Sequence, residues 1–83
     1  MAPIRILLAD DHNVVRAGIR ALLEQQPDLT IVGEAGDGTE ALRLAQELKP
    51  DILLLDMEMP GLDSIEVARR LKAEGNPARV IAL

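Results

Sequence analysis

The sequence predicts an α/β fold, a doubly wound parallel sheet with helices on both faces. Segments with the pattern of buried strands alternate with segments whose apolar residues recur at helical spacing, along the whole chain. Two strand segments, 4–10 and 51–56, are apolar apart from Arg5 and the aspartates at their ends, as is typical of strands covered on both faces. The chain has 83 residues, which is enough for one small domain and too short for two.

The first strand is predicted at 4–10 and the first helix at 14–26. Asn13 is the predicted N-cap of this helix, and Pro27 stops it. Four apolar residues at helical spacing form its predicted buried face, namely Val15, Ile19, Leu22 and Leu23.

A second strand at 30–35 and a second helix at 39–48 follow. The strand is rich in β-branched residues and ends at a Gly-Asp-Gly turn. Either Asp37 or Thr39 caps the helix, and the Lys-Pro pair at 49–50 ends it. The predicted apolar stripe of this helix consists of Ala41, Leu42, Ala45 and Leu48.

The second half of the chain continues the alternation. A buried strand is predicted at 51–56, a helix at 64–75 with Gly75 as its stop signal, and a further strand at 79–83. The apolar side of the helix is predicted to carry Ile65, Ala68 and Leu71. The complete order is β-α-β-α-β-α-β, which favours a parallel sheet with right-handed crossovers.

Composition excludes several classes of function. A net charge of −5 disfavours direct binding of this chain to nucleic acid. The absence of cysteine excludes disulfides, thiolate zinc sites and cysteine nucleophiles. Apolar runs reach only about four or five residues, which is too short to span a membrane, and the N-terminus lacks the features of a signal peptide. We therefore expect a cytoplasmic protein with no membrane association.

Carboxylates follow two of the predicted strands at their carboxyl ends. Asp10 ends the first strand and Asp11 follows it, and Asp56 ends the third. Ligands of such folds bind beyond the carboxyl ends of the strands, so we expect these side chains to form one site. Two carboxylates about 5 Å apart repel by roughly 3 kcal/mol at an effective dielectric of 20, and a proton, a basic side chain or a metal cation must relieve that cost. An all-oxygen site suits Mg²⁺, which would let an aspartate attack a phosphoryl group.

Three stretches of the sequence resemble the receiver domain of two-component response regulators. They are ADDHNVVRAGIRALL, DILLLDMEMPGLDSIEVARRL and ARVIAL, and together they extend over nearly the whole chain. The resemblance is strongest to the group that carries a C-terminal helix-turn-helix output domain. It implies a flavodoxin-like (CheY-like) sheet truncated after the fourth strand, and a signalling module that is not an enzyme beyond promoting its own phosphorylation and dephosphorylation.

The resemblance also implies a role for each residue of the acidic site. Asp56 matches the aspartate that accepts a phosphoryl group from a sensor histidine kinase, and it also ligates Mg²⁺. Asp11 matches the direct metal ligand, and Asp10 matches the acid that acts mainly through water. Glu58 stands where a backbone carbonyl ligates the metal, and the Met-Pro-Gly loop at 59–61 holds that carbonyl in place. DNA binding is expected only through the output domain.

The chain departs from the family pattern in two respects. Ser64 stands where the family commonly has glycine, which we expect to be a mild change at the start of the third helix. The Ser or Thr that contacts the phosphoryl group is expected immediately after Leu83, and the partner Lys after a fifth strand. The resemblance therefore implies that residues 1–83 are an incomplete receiver domain, without the fourth helix, fifth strand, fifth helix and output domain.

Other interpretations remain open. The acidic pair alone is also compatible with a solvated strand end before a helix. An aspartyl-phosphate phosphatase is a weaker alternative, because that class resembles D-x-D-x-T at its first strand and this chain has ADDHN. A truncated interaction fragment, forming a homodimer or a domain-swapped dimer without phosphotransfer, is a further alternative, because an uncovered sheet edge favours pairing.

Several polar and sulfur-containing residues are expected to be structural. His12 is predicted to lie in a turn, and Arg16 on a solvated helix face like the other helix arginines. Met57 and Met59 are predicted to pack rather than to bind a ligand. The GDGTEA stretch at 36–41 is predicted to be a turn and helix cap, because it lacks a nucleotide-binding glycine pattern.

Overall fold

The computed structural model describes residues 2–83, and in them four parallel strands alternate with three helices. The elements are β1 (Ile4–Ala9), α1 (Asn13–Glu24), β2 (Leu29–Ala35), α2 (Gly38–Leu48), β3 (Ile52–Leu55), α3 (Ser64–Ala73) and β4 (Arg79–Ala82). The predicted α/β fold and the predicted order of its elements are confirmed. None of the helices in this part of the chain has the length and apolar character needed to cross a membrane.

The sheet has the strand order β2-β1-β3-β4, with every neighbouring pair parallel. The chain passes from β1 to β2 on one side and then returns across β1 to β3 on the other. Strand order therefore reverses at the boundary between β1 and β3, and in open α/β sheets this boundary is where ligands bind. Ala9 pairs with Leu55 at the carboxyl ends of these strands, so the residues that follow them are neighbours.

The core lies between the sheet and the layer formed by α2 and α3. Right-handed crossovers place these two helices on one face and α1 on the other. The predicted stripe of α2 is confirmed for Ala41, Leu42 and Ala45, which are buried, while Leu48 is half-buried. The other buried members of this core are Leu7, Ala9, Ala35, Leu53, Leu55, Val67 and Leu71.

The apolar face of α1 is much less covered than its pattern predicts. No residue of α1 is buried, and Val15 and Leu22 are 50% and 65% exposed. Ile19 and Leu23 are half-buried. The physical reason is that α1 is the only helix of residues 2–83 on its side of the sheet, so no second helix packs along its flank.

The stripe predicted for α3 is wrong at Ile65, which is 67% exposed. Ser64, Val67 and Leu71 are the buried residues of this helix. Ser64 is drawn inward because its hydroxyl donates a hydrogen bond to the backbone carbonyl of Asp56, 2.7 Å away. The face of the helix at positions 64, 67 and 71 is therefore the one that meets the core.

The N-cap predicted at Asn13 is also wrong. α1 begins at Asn13 itself, its N-cap position is occupied by His12, and no side chain caps the helix there. The Asn13 side-chain oxygen instead accepts a hydrogen bond from Arg16, 3.1 Å away. For α2 the choice between the two predicted caps falls on Asp37, whose carboxylate accepts a hydrogen bond from the Glu40 N–H.

The loop between β3 and α3 rests directly on the N-terminus of α2. The Gly38 N–H donates to the Pro60 carbonyl at 3.0 Å, and a side chain at Gly38 would overlap the backbone carbonyl of Leu62. Gly61 has a φ of +86°, a left-handed conformation that favours glycine. This close backbone packing holds the loop that follows Asp56 against the rest of the molecule.

Two helical glycines provide a matched test of that packing. Gly38→Ala should lower the free energy of unfolding by about 1–3 kcal/mol, because the loop carrying Leu62 must move away. Gly18→Ala should raise it by about 0.5–1 kcal/mol, because Gly18 lies inside α1 with open space around it. Urea unfolding followed by far-UV circular dichroism measures both. Equal effects of the two substitutions would contradict the proposed contact between loop and helix.

Candidate metal centre

Three carboxylates and one imidazole meet at the carboxyl ends of β1 and β3. Asp10, Asp11, His12 and Asp56 each offer one ligand atom, and these atoms lie within 4.8 Å of one another. The backbone brings them together: the Asp56 N–H donates to the Ala9 carbonyl at 2.9 Å, which continues the pairing of the two strands. The three aspartates predicted to share a site are therefore neighbours in the fold.

Asp10 is the buried member of this cluster, with 3% of its surface exposed. Its Oδ1 accepts a hydrogen bond from the His12 backbone N–H at 2.8 Å and lies 3.0 Å from the His12 ring Nδ1. Burial by itself raises the pKa of Asp10, but these contacts with His12 outweigh it and hold the pKa below its ordinary value. Asp10 thus remains a charged carboxylate in a buried position.

Asp11 and Asp56 are more open to solvent, with 29% and 16% of their side chains exposed. Hydrogen bonds hold both the side chain and the backbone of Asp56. Its Oδ1 accepts a hydrogen bond from the Glu58 N–H at 2.9 Å, and its backbone carbonyl accepts the Ser64 hydroxyl. The remaining carboxylate oxygen, Oδ2, faces the cluster and is the atom free to bind a cation or attack an electrophile.

His12 lies between the three acids, although its side chain is 63% exposed. Its Nδ1 is 3.0 Å from Asp10 Oδ1, 3.0 Å from Asp11 Oδ1 and 3.7 Å from Asp56 Oδ2. The hydrogen bond to Asp10 and the charge of Asp11 raise the pKa of His12. The protonated form of the ring is therefore favoured, and its charge relieves part of the repulsion among the carboxylates. The sequence predicted only that His12 lies in a turn and did not predict its contacts with the acids. The position of His12 directly after the acidic pair was the one signal in the sequence for these contacts.

Glu58 enters the site through its backbone. Its own side chain is exposed, and its N–H is the group that orients Asp56. The role predicted for its carbonyl, as a ligand of the metal, stays a prediction. Met59, in the same loop, packs against the α2 and α3 core as expected, whereas Met57 is 43% exposed.

Two further residues support the site and were not predicted to do so. Ser64 is 3% exposed and anchors the carbonyl of Asp56, which is a larger contribution than the mild change expected at this position. Arg16 is wrongly predicted to be solvated: its guanidinium donates to the carbonyls of Asp10 at 2.8 Å and Ala35 at 3.1 Å. It also pairs with Glu34 at 3.3 Å. Arg16 thus ties α1 to the carboxyl ends of β1 and β2, which the helical pattern alone cannot reveal.

Comparison with known proteins identifies the family. The family model for the response regulator receiver domain matches residues 6–83 of this chain. The chain belongs to this family. Receiver domains are the signalling modules of two-component systems, and they bind Mg²⁺ in an acidic pocket. The three carboxylates found here, with Asp10 held in its charged form, fit an ion of that kind.

Most of the chain is similar to a transcriptional regulatory protein and to a response regulator. It is 49% identical over 80 residues to the transcriptional regulatory protein LiaR of Bacillus subtilis. The aligned region covers 96% of this chain and 38% of LiaR. It is 40% identical over 79 residues to the nitrate/nitrite response regulator NarL of Escherichia coli, covering 95% of this chain and 37% of NarL. The chain therefore spans less than two fifths of the length of these relatives.

Solved receiver domains have the same fold. The signal receiver domain of a NarL response regulator from Mycobacterium tuberculosis superposes with a TM-score of 0.95 at 36% identity, covering 99% of this chain and 66% of that one. The response regulator domain of Thermotoga maritima CheB superposes with a TM-score of 0.90 at 41% identity, covering 96% and 59%. The architecture described above is thus that of solved receiver domains.

His12 should make the stability of the cation-free receiver domain depend on pH. A group whose pKa is raised by folding adds stability that is fully present below its ordinary pKa of 6.5 and is lost as the pH rises through the folded pKa. His12→Asn should therefore lower the free energy of unfolding at mildly acidic pH and have a smaller effect at alkaline pH. Urea unfolding over a pH series without divalent cations measures this difference. If the free energies of unfolding of the wild type and His12→Asn differ by the same amount at every pH, the raised pKa of His12 is contradicted.

Proposed function

We propose that this receiver domain is the phosphoacceptor module of a two-component system, and that Asp56 receives a phosphoryl group from a sensor histidine kinase. One observation carries the proposal: three carboxylates from the ends of β1 and β3 converge at the point where strand order reverses. A cluster of this kind is costly unless it serves a cation, and a bound cation is what an anionic nucleophile needs to approach a phosphate.

The residues proposed to hold Mg²⁺ are Asp11, Asp56 and the backbone carbonyl of Glu58, with Asp10 acting mainly through water. The difference in exposure supports this division. Asp10 is buried and its Oδ1 already accepts a backbone N–H, whereas Asp11 and Asp56 are open to solvent. When bound, Mg²⁺ supplies positive charge that neutralises the acids and the incoming phosphate oxygens.

The chemistry proposed for Asp56 follows from the way its carboxylate is held. The Glu58 N–H fixes Oδ1, so Oδ2 is directed toward the cluster. Oδ2 attacks the phosphorus of the phosphohistidine of the kinase, a P–O bond forms as the P–N bond breaks, and the departing imidazole nitrogen takes up a proton. The Ser64 hydroxyl keeps the backbone of Asp56 in place while the side chain reacts.

The proposed output of this module is the control of transcription. LiaR is named a transcriptional regulatory protein and NarL a nitrate/nitrite response regulator. The net charge of −5 disfavours DNA contact by the receiver domain itself. We therefore assign DNA binding to a separate output domain, and the phosphorylated receiver domain regulates it.

Replacing the acceptor tests the proposal directly. The polypeptide as its gene encodes it is incubated with Mg²⁺ and acetyl phosphate, and intact-mass spectrometry with hydroxylamine treatment detects an aspartyl phosphate. We expect one labile phosphoryl group per chain, and Asp56→Asn should abolish it because the nucleophilic oxygen is lost. Asp28→Asn is the control, since Asp28 is an exposed loop residue far from the site in the fold. Modification that persists in Asp56→Asn would overturn the assignment.

A second candidate property, self-association of the 83-residue chain, is favoured by the apolar surface beside β4. Within residues 2–83, β4 lies at the edge of the sheet with one side unpaired. Along one row of paired residues, Leu8 is buried, Leu54 is half-buried and Ile81 is 41% exposed. Leu83 is 49% exposed beyond them. An exposed apolar edge of this kind favours pairing with a second copy, as a dimer or a domain-swapped dimer.

A charge placed on this edge should weaken the association. Ile81→Lys is expected to raise the dimer dissociation constant at least about tenfold, because a lysine in the interface must be desolvated. Ile65→Lys is the matched control, since Ile65 is exposed on α3, on the opposite face of the sheet. Sedimentation equilibrium of the 83-residue chain measures both. A wild-type chain that stays monomeric at high concentration would exclude this property.

A further inference from the structure

The side chain of Arg16 reaches from α1 to the ends of two strands, beside the acidic cluster but outside it. Its Nη1 donates to the carbonyls of Asp10 at 2.8 Å and Ala35 at 3.1 Å. Its Nη2 donates to the Asn13 side chain at 3.1 Å, and its Nε lies 3.3 Å from a carboxylate oxygen of Glu34. All three nitrogens of the guanidinium therefore have a partner, which fixes the plane of this rigid group.

The Asp10 carbonyl belongs to the peptide group that joins the two neighbouring acids. A peptide group is planar, so a hydrogen bond that holds its oxygen also holds the direction in which the backbone passes from Asp10 to Asp11. On the other side of Asp10, its N–H donates to the Ala35 carbonyl at 3.0 Å. Arg16 contacts that same carbonyl, so one guanidinium holds the peptide groups on both sides of Asp10.

Arg20 lies one turn further along α1 and provides a comparison within the same helix. Its Nη1 is 2.9 Å from Glu34 Oε2, while Arg16 pairs with Oε1, so the two arginines share one acid. Arg20 is 44% exposed and Arg16 is 22% exposed. Within residues 2–83 the partners of Arg20 are carboxylates, without a backbone carbonyl among them. The two residues therefore have the same charge and differ in their contact with the strand ends.

We propose that Arg16 is a positioning residue of the acidic site, which sets its cation affinity through the peptide group between Asp10 and Asp11. The inference rests on the proposed function, because it concerns the cation that Asp56 requires. Charge alone predicts the opposite effect: a guanidinium beside the site repels a cation, so its loss would strengthen binding. Positioning predicts weaker binding, because the relative direction of the two carboxylates is then no longer fixed.

The first measurement uses the cation-free 83-residue chain. Triple-resonance NMR gives the chemical shifts of the Asp10 carbonyl carbon and the Asp11 amide, which report on a hydrogen bond to the peptide group between them. Arg16→Ala should shift both signals. Arg16→Lys should also shift them, because an ammonium lacks the planar fork that bridges two carbonyls while pairing with Glu34. Arg20→Ala is the matched control, and shifts as large as those of Arg16→Ala would overturn the proposal.

The second measurement is a titration of the same chains with Mg²⁺, followed through their amide signals. Arg16→Ala should raise the dissociation constant at least about tenfold, and Arg16→Lys should raise it less. Arg20→Ala should change it less than about twofold, because it removes a positive charge without releasing the peptide group. Unchanged or tighter Mg²⁺ binding in Arg16→Ala would overturn the proposal. Far-UV circular dichroism checks that each variant is folded, and Arg16→Lys decides the outcome if Arg16→Ala does not fold.

Asp11→Asn separates the failure of this proposal from the failure of the proposed function. If the wild type does not bind Mg²⁺, or if Asp11→Asn leaves the binding unchanged, the acidic site is wrong and both proposals fail. If Asp11→Asn weakens binding and Arg16→Ala does not, only the role of Arg16 is overturned. Weaker binding in both variants, with Arg20→Ala close to the wild type, is the expected result.

Discussion

Repulsion among the carboxylates of Asp10, Asp11 and Asp56 is the constraint on which this structure depends. The pairing of β1 with β3 forces these groups together, and Asp10 keeps its charge although it is buried. The compensation comes from directly around them, through the backbone N–H and ring of His12 and the N–H of Glu58. Hydrogen bonds to ionised groups are stronger than neutral ones, so these few contacts offset much of the cost.

The surroundings of the acids form a rigid frame around an open centre. Ser64 holds the carbonyl of Asp56, Arg16 joins the ends of β1 and β2 to α1, and Gly38 holds the following loop through Pro60. All of these contacts involve the backbone, so they position the acidic side chains without consuming their oxygens. These contacts thus leave the open carboxylate oxygens available to a cation.

The two faces of the sheet differ in how completely they are covered. α2 and α3 together close one face, whereas α1 alone leaves the other partly open. Periodicity correctly indicated which residues of α1 are apolar but could not indicate how deeply they would be buried, because burial depends on what packs against the helix. The same limit explains Ile65, which is exposed because a different face of α3, carrying Val67 and Leu71, packs against the core.

The sequence by itself determined the order of the elements, the parallel sheet and the meeting of Asp10 with Asp56, because strand and helix periodicities are local and the crossover rule then leaves few topologies. Only the tertiary structure decided the partners of the remaining polar groups. Asn13 was expected to cap a helix and instead binds Arg16. His12 was expected only to lie in a turn, and the fold also places its ring among the acids. Several partners compete for each such group, and only the folded arrangement brings the successful one within hydrogen-bonding distance.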